Sequence, residues 1–285
     1  MNSPESLRQA LNHLDALPAI PSIAQKILSL KITTDEGERA LLELIEKDPT
    51  ILSRIIGLSN SPLFGTGREI MTLKDALALL GSKRVKMVAL SFAMMSSMTR
   101  KTAGLLNVQS LWQHSLSVTM TMDTLARLMP NDLRPPDDEI YLAGLLHDIG
   151  FLVLDYLDTG LSDQFHMRMD AEPGRTVEEI EAEMLEMNHG ELGAALGRHW
   201  NLPEDIIAVL NYHHTPGDGR ATVGHPLVAM ANLAEKLLPT FGVSETVSPE
   251  IGADEWLALG IDPNRESEIM AAVEKNISVA SSMLL

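Results

Sequence analysis

The chain contains no cysteine among its 285 residues, which excludes disulfide bonds and metal sites built from thiolate ligands. Aromatic side chains make up only 4% of the residues, whereas methionine occurs 16 times, so we expect an aliphatic and adaptable core. Basic residues are few, at 22 against 39 acidic ones, which gives a net charge of −17. Such a surface repels phosphate backbones, and we therefore do not expect nucleic acid as a partner.

A targeting segment and a membrane span are also missing from the sequence pattern. The first residues, Met1 to Glu5, lack the basic and then apolar order of a signal peptide. The longest uncharged apolar-rich stretch, Met87 to Met98, is too short to cross a bilayer. With 45% apolar and 21% charged residues, the composition is typical of a globular protein. We expect a cytoplasmic, bacterial-type protein without a membrane span.

Helical periodicity dominates the sequence, and no run of alternating β-branched residues indicates a strand. Asp48 followed by Pro49 is typical of a helix cap and first helical turn. Thr72 and Gly81 have the residue types that begin and end another helix, and we expect Ser82 to cap the one after it. The predicted fold class is all-α.

The helical pattern weakens around residues 101–104 and again past Gly242, where a polar linker begins. We therefore expect an N-terminal helical subdomain over residues 1–105, packed on a second helical domain over residues 106–240. A C-terminal helical extension would follow over residues 241–285.

The most informative feature is His147-Asp148, which lies inside an apolar run from Tyr141 to Leu154 with about the length of a core helix. A buried imidazole beside a buried carboxylate is costly unless both groups are paired, hydrogen-bonded or bound to metal. The pair is therefore either satisfied structurally or part of a site. Imidazoles and carboxylates from several helices can surround one or two divalent ions, and Asp148 could bridge two. Further histidines recur at the ends or faces of apolar helices, namely His114, His189, His213 and His214.

In this order, the residues resemble the HD superfamily of metal-dependent phosphohydrolases. Over residues 14–240 the chain resembles, more specifically, the HDOD domain, an HD-related output module of bacterial signalling proteins. Six motifs carry this resemblance, in order along the chain: Leu17-Pro18-Ala19-Ile20-Pro21, Asp48-Pro49, Leu58-Ser59-Asn60-Ser61, Ala76-Leu77-Ala78-Leu79-Leu80-Gly81, Gly144-Leu145-Leu146-His147-Asp148-Ile149-Gly150 and Trp200-Asn201-Leu202-Pro203.

The resemblance implies an all-helical regulatory module in signal transduction, with an HD-like helical domain and signalling proteins as partners. It also implies a pocket for a divalent transition metal, which His and Asp ligands alone do not narrow beyond iron, manganese, nickel or zinc. A family Asp in a Leu-Ala-Asp context corresponds here to Glu235, whose side chain is one methylene longer. The implied metal ligands are His114, His147, Asp148, His189, His213, His214 and Glu235.

Two departures from active HD enzymes weaken the phosphoryl chemistry more than the metal site. Phe151 stands where those enzymes commonly carry a lysine, and Thr215-Pro216-Gly217-Asp218 stands where one branch has Gly-Tyr-Pro. We therefore expect regulation by protein–protein contact with a degenerate HD-type pocket. The alternative is a metal-dependent phosphohydrolase or cyclic-nucleotide phosphodiesterase, in which Asp148 would belong to the catalytic centre. A third reading is a pocket that binds a nucleotide without hydrolysing it.

Three other segments, two of them charged and one rich in methionine, are interpreted as helix surface or core rather than as binding sites. Lys83, Arg84 and Lys86 could bind an anionic ligand at a helix start, but a solvated helix face is the preferred interpretation. The acidic run at residues 178–183 is interpreted as a solvated helix face, and the methionines at residues 94–98 as core.

Overall fold

The computed structural model describes residues 17–60, 69–98, 104–185, 187–238 and 250–282, with side chains up to residue 274. Within these ranges the chain forms fifteen α-helices and no strand. The helices are α1 (Ser22–Ser29), α2 (Asp35–Glu46), α3 (Pro49–Ser59), α4 (Leu73–Leu80), α5 (Ser82–Met98), α6 (Val108–Leu128), α7 (Asp137–Leu146), α8 (Ile149–Leu157), α9 (Thr159–Ala171), α10 (Val177–Met184), α11 (His189–His199), α12 (Glu204–Tyr212), α13 (Leu227–Leu237), α14 (Ala253–Ala258) and α15 (Glu266–Ser282).

Local sequence signals set the helix ends in the first part of the chain. The side chain of Asp48 accepts hydrogen bonds from the first backbone N–H groups of α3, and Thr72 caps α4 in the same way. Gly81 ends α4 with φ of +82°, a left-handed conformation that favours glycine. Ser82 is the first residue of α5 rather than its cap, because the N–H of Val85 donates to the carbonyl of Gly81 at 3.1 Å. The hydroxyl of Ser82 donates to Glu38 of α2.

Two residues of the HDOD-like motifs join distant parts of the chain. The side-chain amide of Asn60 donates to the carbonyl of Ile70 and accepts from its N–H, both at 2.7 Å. The indole N–H of Trp200 donates to the carbonyl of Pro18 at 2.9 Å. The second bond ties the N-terminal motif to the loop after α11, across 182 residues of sequence. These motif residues therefore act in the architecture of the fold.

The core is continuous across the predicted subdomains. Helix α5 packs against α1, α7 and α8, while α6 packs against α7, α13 and α15. Met94, Met95 and Met98 of α5 are buried, which confirms their interpretation as core. The boundaries at residues 105 and 240 stay predictions.

The length of the apolar run around His147-Asp148 suggested a single helix, but the structure has two. Helix α7 ends at Leu146 and α8 begins at Ile149, because the backbone of Asp148 departs from helical values, with φ of −99° and ψ of 15°. Successive residues of a straight helix point about 100° apart. The turn brings the two side chains together, with 3.1 Å between Nε2 of His147 and Oδ2 of Asp148.

Within the described residues, the stretch Asp137–Leu157 has the length and mean hydropathy, 1.5, of a helix that could cross a membrane. However, 89% of its most apolar window is buried against other parts of the protein. Core helices of globular proteins show the same pattern, so this stretch is weak evidence for a membrane span.

Candidate metal centre

Seven side chains from five parts of the chain converge between α6, α7, α11, α12 and α13. They come from the first half of α6, the turn between α7 and α8, the first residue of α11, the residues just after α12 and the last turn of α13. The structure brings together every residue that the sequence suggested as a ligand: His114, His147, Asp148, His189, His213, His214 and Glu235.

One group of four potential ligands contains His114, His147, Asp148 and Glu235, whose ligand atoms all lie within 4.8 Å of one another. Oδ2 of Asp148 is 3.3 Å from Nε2 of His114 and 3.1 Å from Nε2 of His147. Nε2 of His147 is also 3.1 Å from Oε1 of Glu235. The set offers two imidazole nitrogens and two carboxylates to a single ion.

A second group contains Asp148, His189, His213 and His214, again within 4.8 Å. Oδ1 of Asp148 is 3.4 Å from Nε2 of His213 and 3.6 Å from Nε2 of His189. Nε2 of His189 lies 3.2 Å from Nε2 of His214. Because Asp148 offers one oxygen to each group, the geometry fits two ions with Asp148 between them.

Backbone carbonyls orient two of the histidine rings through Nδ1, the ring nitrogen that faces away from the centre. Nδ1 of His147 contacts the carbonyl of Gly144 at 2.8 Å, and Nδ1 of His213 contacts that of Val209 at 2.9 Å. A carbonyl oxygen only accepts, so each Nδ1 must carry the proton and a neutral ring has its lone pair on Nε2. Nδ1 of His189 likewise contacts an acceptor, the carboxylate of Glu181 at 2.9 Å, and its Nε2 faces Nε2 of His213 at 3.1 Å. A proton or a metal ion must lie between such lone pairs to prevent their repulsion.

The two central carboxylates depend on the surrounding imidazoles. All four oxygens of Asp148 and Glu235 are buried, and their hydrogen-bonding neighbours are imidazole nitrogens, which donate only when they carry a proton. A buried carboxylate without a donor or a cation is strongly destabilising. Together with the inward Nε2 atoms, these oxygens form a donor set that fits divalent transition metals.

Charge pairing within the cluster outweighs burial at several groups. Burial alone would raise the pKa of Asp148, but His147 and its neighbours hold it well below its usual value, and imidazoles around Glu235 lower its pKa to about 2. Burial would lower the pKa of His147, yet Asp148 and Glu235 raise it well above normal. Glu181 raises the pKa of His189 to about 9, also against burial. Protons on these imidazoles therefore balance the carboxylates when no cation does, and metal binding would release them.

Burial dominates at the other two titrating imidazoles. It lowers the pKa of His114 and of His213, and nearby histidines add to the effect. Both rings are therefore neutral near pH 7 and can offer a lone pair without losing a proton.

The cluster is almost fully enclosed. The side chains of His147 and Asp148 are 0% exposed, and those of His114 and His214 reach only 6% and 7%. Phe151, also fully buried, stacks on the ring of His189 with 4.3 Å between centroids. An aromatic ring thus covers this side of the site, at the position where the family resemblance led us to look for a lysine.

Glu181 is a member of the site that the sequence interpretation missed. Its placement on a solvated helix face is wrong, because Glu181 is 0% exposed and its Oε1 lies 2.9 Å from Nδ1 of His189. The other carboxylates of the acidic run are half-buried or exposed. Helical spacing could have revealed the exception, since Glu181 shares one face with Val177 and Ile180, which are buried.

The basic segment is neither a solvated face nor an open anion site. Arg84 pairs with Asp137 at 2.8 Å and with the buried Asp123 at 3.3 Å. Lys86 donates to two backbone carbonyls at the end of α1, and Lys83 alone is mostly exposed. The positive charges serve tertiary contacts that lie far away in sequence.

A family model for the HDOD domain matches residues 17–216. The chain belongs to the HDOD family. A curated relative, an uncharacterized protein of Treponema pallidum (strain Nichols), is 22% identical over 244 residues. The match covers 82% of this chain but 45% of that protein, so this HDOD chain spans less than half the length of its curated relative.

Solved structures share the fold over nearly the whole chain. An HDOD domain protein of unknown function from Geobacter sulfurreducens is 25% identical with a TM-score of 0.65, covering 94% of this chain and 96% of that one. A protein named as a candidate phosphohydrolase from Shewanella amazonensis SB2B is 19% identical with a TM-score of 0.70, covering 97% and 98%.

A third solved structure is larger than this chain. It is named as a candidate signal transduction protein from Marinobacter aquaeolei VT8 and is 22% identical with a TM-score of 0.77. The likeness covers 100% of this chain and 61% of that one. Together these likenesses confirm the predicted all-α, HD-like fold.

Proposed function

We propose that this HDOD domain is a regulatory module in signal transduction that acts through contact with partner proteins. In place of an open catalytic site it holds an enclosed centre for divalent transition metal. One observation carries the proposal: the HD-type ligand set is complete, yet five of its seven side chains are at most 1% exposed. A complete but enclosed ligand set fits a structural or regulatory ion better than turnover of a phosphate ester.

The chain's own residues define what the centre can do. His114, His147 and Glu235 would hold one ion and His189, His213 and His214 a second, with Asp148 shared. A bound divalent ion, whether iron, manganese, nickel or zinc, would supply positive charge that offsets the buried carboxylates. Phe151 fills the space beside His189 with an apolar ring, so no side chain there can pair with a phosphate. These features support ion binding and argue against hydrolysis.

The regulatory part of the proposal draws on family membership and on charge. The larger structure from Marinobacter aquaeolei is named for signal transduction, and this chain would correspond to part of such a protein. A net charge of −17 favours partner proteins with basic surfaces over nucleic acid. We propose a cytoplasmic location, which suits a chain without cysteine.

Elemental analysis of untagged protein, purified without chelator, tests the metal centre. We expect close to two transition-metal ions per chain in the wild type and loss of metal in His147→Ala. His199→Ala is the matched control, because His199 lies on α11 outside the cluster. A wild-type protein that stays metal-free after reconstitution would overturn the metal centre.

The same preparations decide between regulation and catalysis. Metal-loaded wild type should not hydrolyse a chromogenic phosphodiester or a cyclic dinucleotide above the rate of Asp148→Asn. Turnover that disappears in Asp148→Asn would instead establish the metal-dependent phosphohydrolase or cyclic-nucleotide phosphodiesterase. Binding of a cyclic dinucleotide or a guanosine polyphosphate in calorimetry, without turnover, would make the module a nucleotide sensor.

A further inference from the structure

Glu181 is the one carboxylate of α10 that is completely buried among the described side chains of that helix. Its Oε1 accepts a hydrogen bond from the backbone N–H of His189 at 2.9 Å and lies 2.9 Å from Nδ1 of the same residue. One oxygen therefore contacts both the main chain and the ring of a proposed metal ligand. A buried carboxylate is costly, so this arrangement needs a compensating role.

The partner of His189 differs in kind from those of His147 and His213. Nδ1 of His147 and Nδ1 of His213 each contact a neutral backbone carbonyl. Nδ1 of His189 contacts the Glu181 carboxylate, which has formal negative charge. A carboxylate behind a metal-binding imidazole fixes its tautomer and makes the opposite nitrogen a stronger electron donor.

The backbone of His189 is also held in place. A Cβ added to Gly150 would lie 1.8 Å from the carbonyl oxygen of His189, so α8 and α11 can approach this closely only because residue 150 is glycine. The ring of Phe151 stacks on the imidazole at an interplanar angle of 18°. With ring plane and backbone fixed, the remaining freedom is which nitrogen faces the centre, and Glu181 determines that choice.

We propose that Glu181 is a positioning residue that holds Nε2 of His189 toward Asp148 and thereby links helix α10 to the metal centre. The inference rests on the proposed function, since it assigns a role toward the metal ion of that centre. Glu181 acts through His189 and is not a member of either group of ligands around Asp148.

Helix α10 is a suitable element for such a link. Its outer face carries Glu183, which pairs with Arg168 and Arg175 at the surface. Its inner face carries Glu181, and Glu178 reaches to 3.5 Å from Nδ1 of His214. A surface helix thus contacts two proposed ligands of the same ion. Occupancy of the centre and the stability of α10 should therefore be thermodynamically coupled.

Metal affinity of the folded protein tests the role of Glu181. The free metal concentration is set with a competing chelator, with Zn²⁺ or Mn²⁺ as the probe. Glu181→Gln keeps a carbonyl oxygen for both N–H groups but removes the charge, and we expect 10- to 100-fold weaker binding. Glu181→Ala removes the acceptor as well and should weaken binding further. Glu183→Gln, on the outer face of the same helix, is the matched control and should bind like the wild type.

Hydrogen exchange gives a second measurement, which does not require a dissociation constant for each variant. Hydrogen exchange of the backbone amides in Val177–Met184 should slow when the wild type is loaded with metal, and slow much less in Glu181→Ala. Thermal unfolding of the metal-free variants checks that they fold. The Glu181 variants could instead lose stability while they bind metal as tightly as the wild type and show the same slowing of exchange on metal binding. That result would show that Glu181 has only a structural role and would overturn the inference.

The outcomes separate the two proposals. If the wild type binds metal and both Glu181 variants bind it within twofold of the wild type, the positioning role is wrong and the metal centre stands. If the wild type takes up no metal after reconstitution, the metal centre fails and the role of Glu181 fails with it. The ordered series of wild type, Glu181→Gln and Glu181→Ala, from tightest to weakest, supports both.

Discussion

Two buried clusters of charge lie on helix α6, and they are built in opposite ways. Asp123, 0% exposed, accepts hydrogen bonds on one oxygen from Arg84 and on the other from Arg127. Asp148, also 0% exposed, lies within 3.6 Å of four imidazoles, one of which is His114 of α6, and can accept a hydrogen bond only from one that carries a proton on Nε2. The cluster around Asp123 contains permanent positive charges on two arginines. The cluster around Asp148 contains only histidines, whose positive charge depends on protonation.

The difference separates architecture from function on physical grounds. A guanidinium is always charged and donates along fixed directions, so Arg84 and Arg127 satisfy Asp123 under all ordinary conditions. An imidazole can lose its proton and present a lone pair, so the cluster around Asp148 exchanges protons for a cation. The first arrangement stabilises the packing of α5 on α6 and α7. The second is stable only when it is protonated or when it binds metal.

Removal of metal should change the free energy of unfolding more than any other test, and it should act only on the cluster around Asp148. At free metal about a thousand times the dissociation constant, binding to the native state contributes about 4 kcal/mol to the free energy of unfolding. Addition of excess chelator should remove that amount in the wild type, as measured by chemical denaturation. Asp148→Asn, which loses the shared ligand, should show no response to chelator. An equal response in both proteins would place the stabilising ion elsewhere.

Removal of Asp123 tests the other side of the comparison. In Asp123→Asn the hydrogen bonds from two arginines are weakened, which should lower the free energy of unfolding by about 2 kcal/mol. The cost stays below that of a fully buried ion pair because the Arg127 side chain is 51% exposed and Arg84 keeps Asp137. The loss should be the same with and without metal. A loss that depends on metal would show that the two clusters are coupled through α6.

Local signals in the sequence were enough for much of the fold. Asp48 and Thr72 cap their helices as predicted, because a cap depends on a few neighbouring residues. The residues that gather at the centre were found from their order along the chain and their resemblance to a family. By contrast, the partners of Arg84 lie 39 and 53 residues away, and no local pattern indicates them.

Two further differences have physical causes. The helix break at Asp148 could not be read from an apolar run, since apolar composition does not report a turn. Glu181 was taken for a surface residue because its neighbours in sequence are acidic, although its helical face is apolar. The helical spacing could have indicated that Glu181 is buried, but the sequence alone does not show that His189 packs opposite it.

The smallest expected effect concerns the bond that joins the two ends of the HDOD match. Trp200→Phe keeps an aromatic ring in the core but removes the indole N–H that donates to the carbonyl of Pro18. One neutral hydrogen bond contributes about 1 kcal/mol, so the free energy of unfolding should fall by that amount. Metal content should not change, because Trp200 lies outside both groups of ligands. A metal loss in Trp200→Phe would contradict the separation of architecture from site, since it would show that the N-terminal motif helps to hold α11 and its His189 in place.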